Sequence, residues 1–450
     1  MASTGGPSEA RPGASAAVST SCITSKIKRT PVILNPPRQP PGAHFRVLQW
    51  NVLADGLAQN GDFCRVHPDH LKWEYRKPLL IQEIMEANAD IICLQELNHF
   101  EDLSQVLKEL GYEGAFREKH ASPALKYEFP PDGMAVFYRS GRFTCSAGAV
   151  EGRSFQDDST GREQSQGYLQ ILLHDLVVGR DLLVVTTHLK AKDGAECEDM
   201  RYQQAKQLLR NVSGTLERLE KAAQEASVAA GGNGGAGSAA HAGGNGGSGS
   251  SKAGGNGSAS NGAGRNGSGS GHHAAGGAAV AAEHRVPVVV TGDFNTLPGS
   301  KTCTAFREHP LGLMSLWEQR PIDATLSSGS DMDVPPPPLP TPAAAGSNGS
   351  NGAAAAAAAG AGPSRSSEFS TWKFRVKGES KRISDYIYFS GGGPLRPLQR
   401  WRMLTEEEIG PTALPSPAYA SDHVSLCCEF EWDVDADLEW APRSQEQDWG

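Results

Sequence analysis

The stretch Pro287-Val-Val-Val-Thr-Gly-Asp-Phe-Asn295 decides how the rest of the chain is read. A Val-rich apolar run after a proline reads as a buried strand. An acid and an amide, Asp293 and Asn295, follow its end, and alternation along an extended chain sends both to one face. At the mouth of a buried strand such a pair can bind a hard cation or orient a water. For an isolated Gly-Asp-x-Asn, an Asx-turn closing the strand is the simpler reading. What weighs against the simple reading is recurrence, because other apolar runs in this chain also end on a polar residue.

His44–Trp50 reads as a strand delivering Asn51, and Ala89–Leu94 as a buried strand followed by Glu96. Gly133–Tyr138 and Tyr168–Val178 are further strands, and Asp181–Thr187 presents His188. After Pro287–Asn295 come Thr371–Val376, Ser384–Phe389 with Asp385, and Val424–Phe430, directly preceded by Asp422 and His423. Helices are expected over Asp69–Asn88, with Pro78 kinking it or marking its start. Others are expected over Asp102–Leu110, closed by Gly111, and over about 197–226. Short strands mixed with helices predict an α+β or α/β sandwich of two packed mixed sheets flanked by helices.

Composition sets the boundaries. Residues 1–40 are rich in Ser, Ala, Pro and Gly and nearly free of acids, the composition of a transit peptide or a disordered tail. A cytoplasmic protein is expected, with mitochondrion or chloroplast as the alternative if the tail is a transit peptide. Tracts 227–282 and 325–366 are low-complexity insertions, and 432–450 is an acidic tail. The remainder of 44–431, about 280 residues, suits a single core. Gly232–Gly237 formally matches GxGxxG, but no strand precedes it and no helix follows, so it is not a dinucleotide fingerprint. Pro335–Pro338 could serve as a polyproline ligand for an aromatic-lined groove. The net charge of −9 argues against a broad basic surface for nucleic acid. Eight cysteines without CxxC spacing read as reduced thiols. No run is long and apolar enough for a membrane span. A soluble monomer is expected.

An insertion of this composition cannot bury enough apolar surface to offset chain entropy, and lengthening a closed loop costs little. Replacing 227–282 with a short Gly-Ser connector is therefore expected to leave melting temperature and activity nearly unchanged. A collapse in thermal stability would mean that the tract packs on the domain.

The strand-ending residues Asn51, Glu96, His188, Asp293, Asn295, Asp385, Asp422 and His423 suit one task together, metal-assisted attack of water on a phosphate ester. Oxygen donors of this kind select magnesium over zinc. Histidines can stabilise charge on phosphoryl oxygens. Gln49-Trp-Asn51, Leu94-Gln-Glu96, Thr187-His-Leu189, Gly292-Asp-Phe-Asn295, Asp385-Tyr-Ile387 and Ser421-Asp-His423 occur in the order of the endonuclease/exonuclease/phosphatase superfamily. Leu71–Lys77, Thr187–Ala191, Thr371–Lys373 and Leu404–Pro411 resemble its nocturnin and deadenylase branch. The resemblance covers about 44–220, 284–322 and 368–431.

It implies magnesium, with manganese able to substitute, held by Glu96 with Asn51 and Asp293 close by. It implies that Asp293 orients the water and Asn295 holds the phosphoryl transition state. His423, oriented by Asp385, would stabilise developing charge, with His188 on another side and Asp422 as an outer carboxylate. Lys119 and Arg201 would contact substrate phosphate, with Trp372, Lys373 and Arg375 as further substrate contacts. The implied activity is removal of the ribose 2′-phosphate of NADP(H), the alternative being 3′-to-5′ removal of poly(A) from RNA. A catalytically silent scaffold is the remaining reading, which any magnesium-dependent turnover would exclude.

Overall fold

The computed structural model describes residues 27–59, 63–231, 286–322 and 368–433. In chain order it begins with β1 (Pro31–Ile33), β2 (His44–Asn51), α1 (Asp55–Gln59), α2 (Trp73–Ala87), β3 (Ile91–Leu97), α3 (Phe100–Glu109), β4 (Tyr112–Glu118) and β5 (Gly133–Arg139). Next come β6 (Phe143–Gln156), β7 (Glu163–Asp175), β8 (Arg180–His188), α4 (Ala195–Gly231), β9 (Val288–Asp293), α5 (Lys301–Glu308) and β10 (Leu313–Ser315). The last elements are β11 (Thr371–Arg375), β12 (Gly378–Arg382), β13 (Asp385–Ser390), β14 (Leu395–Trp401), α6 (Glu406–Ile409) and β15 (Leu426–Trp432).

Among the described residues, one sheet runs β1-β14-β15-β2-β3-β5-β4, the other β10-β13-β9-β8-β7-β6, and β11 and β12 form a separate hairpin. Two pairs are parallel, β2 with β3 and β8 with β9, and the remaining pairs are antiparallel. The sandwich expected from the sequence is the one observed. The central strands β8 and β9 are buried on both faces, which is why Leu182–Val185 and Val288–Val290 read as unbroken apolar runs. One cluster joins Phe45, Val47, Ile92 and Leu94 of the first sheet to Leu169, Val184, Val289 and Ile387 of the second. A polar pin crosses the same interface: buried Asp175 accepts from Trp432 Nε1 at 2.9 Å and from Arg142 at 2.9 Å.

Several expectations need correction. Pro78 does not mark the start of α2, which begins at Trp73, but lies inside it. The tail assigned to 1–40 belongs to the fold from residue 27 onward. β1 pairs with β14, and the buried Arg29 lies over Trp401 and donates to the Ser425 carbonyl at 2.9 Å. Strands β4 and β6 go unnoticed in the sequence because YEGAFRE and FTCSAGAVEGRSFQ have no clean apolar alternation. Both are sheet edges, formed by pairing with their neighbours. The chain divides into two compact units, 1–215 with 286–450, and 216–285. In the second, the described residues are the C-terminal part of α4. Most of tract 227–282, all of 325–366, the Gly232–Gly237 match and the prolines 335–338 lie outside the described residues, as does the acidic tail beyond Asp433. Seven cysteines are described, and all are free thiols. No described helix is long and apolar enough to cross a membrane.

Candidate active site

The topology brings the strand ends together. β2 and β3 finish side by side at Asn51 and Glu96, while β8 and β9 pair His188 with Asp293. The start of β13 sets Asp385 opposite Asp293. Glu96 leaves its strand through a register break between Leu94 and Leu97, with φ of 57°. A glutamate in that left-handed region is held there by its surroundings. Asn295 is likewise left-handed, with φ of 53°, so Asp293 and Asn295 do not share a face by simple alternation. Instead Asp293 Oδ1 accepts the Asn295 N–H at 2.9 Å, which is the Asx-turn, while Oδ2 faces the site. The two readings of Gly-Asp-Phe-Asn are both true, one for each carboxylate oxygen.

Asn51 Nδ2 donates to Glu96 Oε1 and to Asp293 Oδ2, each at 3.1 Å. The second Glu96 oxygen accepts from the Ala54 N–H at 3.2 Å, and Asn295 Nδ2 donates to the Leu189 carbonyl at 3.2 Å. Two histidines flank Asp293 Oδ2, His188 Nε2 at 3.6 Å and His423 Nε2 at 3.7 Å. His423 Nδ1 lies 2.8 Å from Asp385 Oδ2, an oxygen that also accepts from Ser370 Oγ at 2.7 Å.

Electrostatics separate the two rings. Burial lowers the His188 pKa to about 4, with the nearby Lys119 charge acting in the same sense. His188 is therefore neutral. Burial also opposes charge on His423, but Asp385, Asp293 and Asp422 together outweigh it and raise this ring to about 9. A neutral and a protonated imidazole thus face the same carboxylate, a division of labour typical of acid–base sites. Burial favours a neutral Asp422 carboxyl, yet Lys373, His423 and Arg375 hold it ionised, well below the usual range.

The proposed substrate contacts divide. Lys119 pairs with Asp132 at 3.4 Å and acts on His188. Lys373 and Arg375 both reach Asp422. Trp372 does not line the site: it is 4% exposed, packs against Phe369 and donates to Glu379 at 2.7 Å. Its placement on the buried side of the β11–β12 hairpin follows from core packing. Arg201, also 4% exposed, binds Glu198 and the carbonyls of Lys190 and Lys192. It shapes the loop after His188, and its bonds to Glu198, Lys190 and Lys192 hold it within the fold.

Asp293, Asp385 and His423 have ligand atoms within 4.8 Å of one another. Asp385 Oδ2 is already saturated by His423 and Ser370, so this trio suits proton handling better than metal binding. Glu96, whose side chain is 12% exposed, with Asp293 gives a hard, anionic oxygen donor set. That set fits magnesium. Asn51 links the two carboxylates through its nitrogen and spends Oδ1 on the Leu53 N–H at 3.1 Å.

Supporting residues escaped the sequence reading. Gln49 and Gln95 exchange bonds of 2.6 and 2.8 Å, and Gln95 also donates to Thr186 at 2.8 Å, fastening β2, β3 and β8 behind the site. Arg76, fully buried, donates to the carbonyls of Val52 and Ala420 and to Asp55. It thereby ties the segment after Asn51 to the segment before Asp422. Their one signal in the sequence is membership of the quoted motifs.

The endonuclease/exonuclease/phosphatase family model matches residues 48–423. Nocturnin of Rattus norvegicus is 28% identical over 399 residues, covering 87% of this chain and 67% of that protein. The solved human nocturnin catalytic domain with bound sulfate aligns with a TM-score of 0.54 at 23% identity, over 90% of this chain and 97% of that one. ANGEL2, a 2′,3′-cyclic phosphatase solved with adenosine-2′,3′-vanadate, aligns with a TM-score of 0.56 at 19% identity, over 91% of this chain and 100% of that one. At these identities the two structures speak for the fold. The match over nearly the whole described chain, with all eight strand-end residues present, makes this protein a nocturnin-like member of the endonuclease/exonuclease/phosphatase family of phosphate-ester hydrolases.

Proposed function

We propose that the protein is a magnesium-dependent phosphatase that removes the ribose 2′-phosphate of NADP(H). The observation that carries this reading is the placement of cations close around one buried carboxylate–histidine centre. Lys119 acts on His188, and Lys373 and Arg375 sit on Asp422. A few close cations suit a compact nucleotide, whereas a polynucleotide track needs an extended groove. Magnesium held at Glu96 and Asp293 would neutralise charge building on the phosphoryl oxygens. Asp293 Oδ2 orients the attacking water, protonated His423 donates to a phosphoryl oxygen, and Asp385 fixes that ring. His188 supports the phosphate as a neutral hydrogen-bonding group.

Removal of poly(A) from RNA is the second reading, and one feature favours it. Arg65 lies 3.5 Å from the Phe374 ring centroid and Arg375 4.6 Å from that of Phe63. Aromatic and guanidinium planes of this kind can stack on bases. The test is a paired assay of phosphate release from NADPH and shortening of oligo(A), for wild type and Lys119→Ala across a salt series. A lost charge-assisted bond to phosphate costs roughly tenfold or more, so Lys119→Ala is expected to raise the KM for NADPH by about that factor. An exonuclease would be less sensitive to this single change and would weaken steeply with salt. Oligo(A) shortened while NADPH stays intact would replace the first reading with the second.

A further inference from the structure

Arg117, near the end of β4, is not used by the site described above. Its neighbour Phe116 stacks on Phe100 of α3, with ring centroids 4.7 Å apart. Strand alternation therefore turns Arg117 and Lys119 to the opposite face, toward the second sheet. The Lys119 N–H continues the ladder to the Asp132 carbonyl at 2.8 Å, so the two cations keep this shared direction.

On that face two glycines make room for the arginine. A Cβ at Gly167 would stand 2.8 Å from Arg117 Cζ and Nη2, and one at Gly152 would stand 2.8 Å from Cδ. Gly167 is the cross-strand partner of His188, so the guanidinium lies over the strand next to the one that carries His188. Arg117 Nη2 donates to Ser154 Oγ at 2.6 Å, but Nη1 is buried from solvent without a hydrogen-bond partner. Among the described residues no carboxylate pairs with Arg117; Glu163 acts on it only from a distance. An arginine desolvated without a counter-anion is costly. Its planar fork is suited to a phosphate.

We propose that Arg117, with Ser154, forms a second anion subsite that holds the diphosphate of a dinucleotide while its ribose phosphate is hydrolysed at Asp293 and His423. This deepens the NADP(H) reading and rests on it. Lys119 stands between the two anionic groups, and the small residues at 152 and 167 are what admit the arginine.

The experiment compares wild type, Arg117→Gln and Arg117→Lys in the full-length protein. NADPH is set against 2′-AMP, which carries the scissile phosphate but no diphosphate, and ADP binding is followed by calorimetry. Arg117→Gln is expected to raise the KM for NADPH tenfold or more, to change kcat little, to affect 2′-AMP far less, and to weaken ADP by a similar factor. Arg117→Lys, which keeps charge but not the fork, should fall between, and it carries the test if the glutamine variant does not fold. Equal losses on NADPH and 2′-AMP, or unchanged ADP binding, would overturn the subsite. If wild type released no phosphate from NADPH, the phosphatase reading alone would fail. ADP binding weakened by Arg117→Gln would still support the subsite, and unchanged binding would overturn it.

Discussion

Glu96→Ala is expected to abolish magnesium-dependent turnover, by roughly 10²-fold or more, with the fold intact. Glu96 is the most open carboxylate of the centre, 12% exposed, with one oxygen toward Asn51 and the other on the Ala54 N–H. Its removal takes away the principal hard donor, whereas Asn51 keeps its bond to Asp293. The structural cost is the two bonds that Glu96 accepts, from Asn51 and from the Ala54 N–H, on the order of 1.5–3 kcal/mol for each bond to a charged group. Initial rates over a magnesium series, with a melting curve for each protein, separate the two effects. An active Glu96→Ala enzyme with ordinary magnesium dependence would remove Glu96 from the metal site.

Asp385→Asn is expected to lower kcat by about 10²-fold or more, the usual scale for losing a positioned acid–base group. Asp385 is the first of three carboxylates that together overcome the burial of His423 and raise its pKa to about 9. The sign follows from that direction. A histidine whose folded pKa lies above its ordinary value contributes its charge fully below that ordinary value, near 6.5, and loses it as pH rises through about 9. Wild-type kcat/KM should therefore fall on the alkaline side near that value, and the variant's limb should move toward neutral pH. A pH profile of both proteins checks this, and an unmoved limb would show that His423 is not the titrating group.

The chain's organisation was legible wherever a side chain had to terminate a buried strand. Leu182–Val185 before His188 and Val288–Val290 before Asp293 are apolar on both faces, because their strands are interior to the sandwich, and an apolar run ending in a polar residue is visible without a structure. Edge strands were not legible, since β4 and β6 owe their conformation to pairing rather than to their own pattern. Trp372 and Arg201 show a second limit. Motif position located them near the site, but whether a ring or a guanidinium faces substrate or core is set by packing between distant segments. Arg76 is the converse case, a charged helix residue whose bonds to Val52 and Ala420 cross 24 and 344 residues of sequence. Gly167 and Gly152 likewise look like weak strand residues until Arg117 is seen lying over them.

The central claim is most directly tested by offering purified wild-type protein NADPH, with magnesium, with chelator, and with magnesium restored, while measuring inorganic phosphate and NADH together. The account predicts phosphate and NADH in equal amounts, loss of both on chelation, and recovery when magnesium returns. Undiminished release in chelator, or NADPH left intact in magnesium, would contradict it.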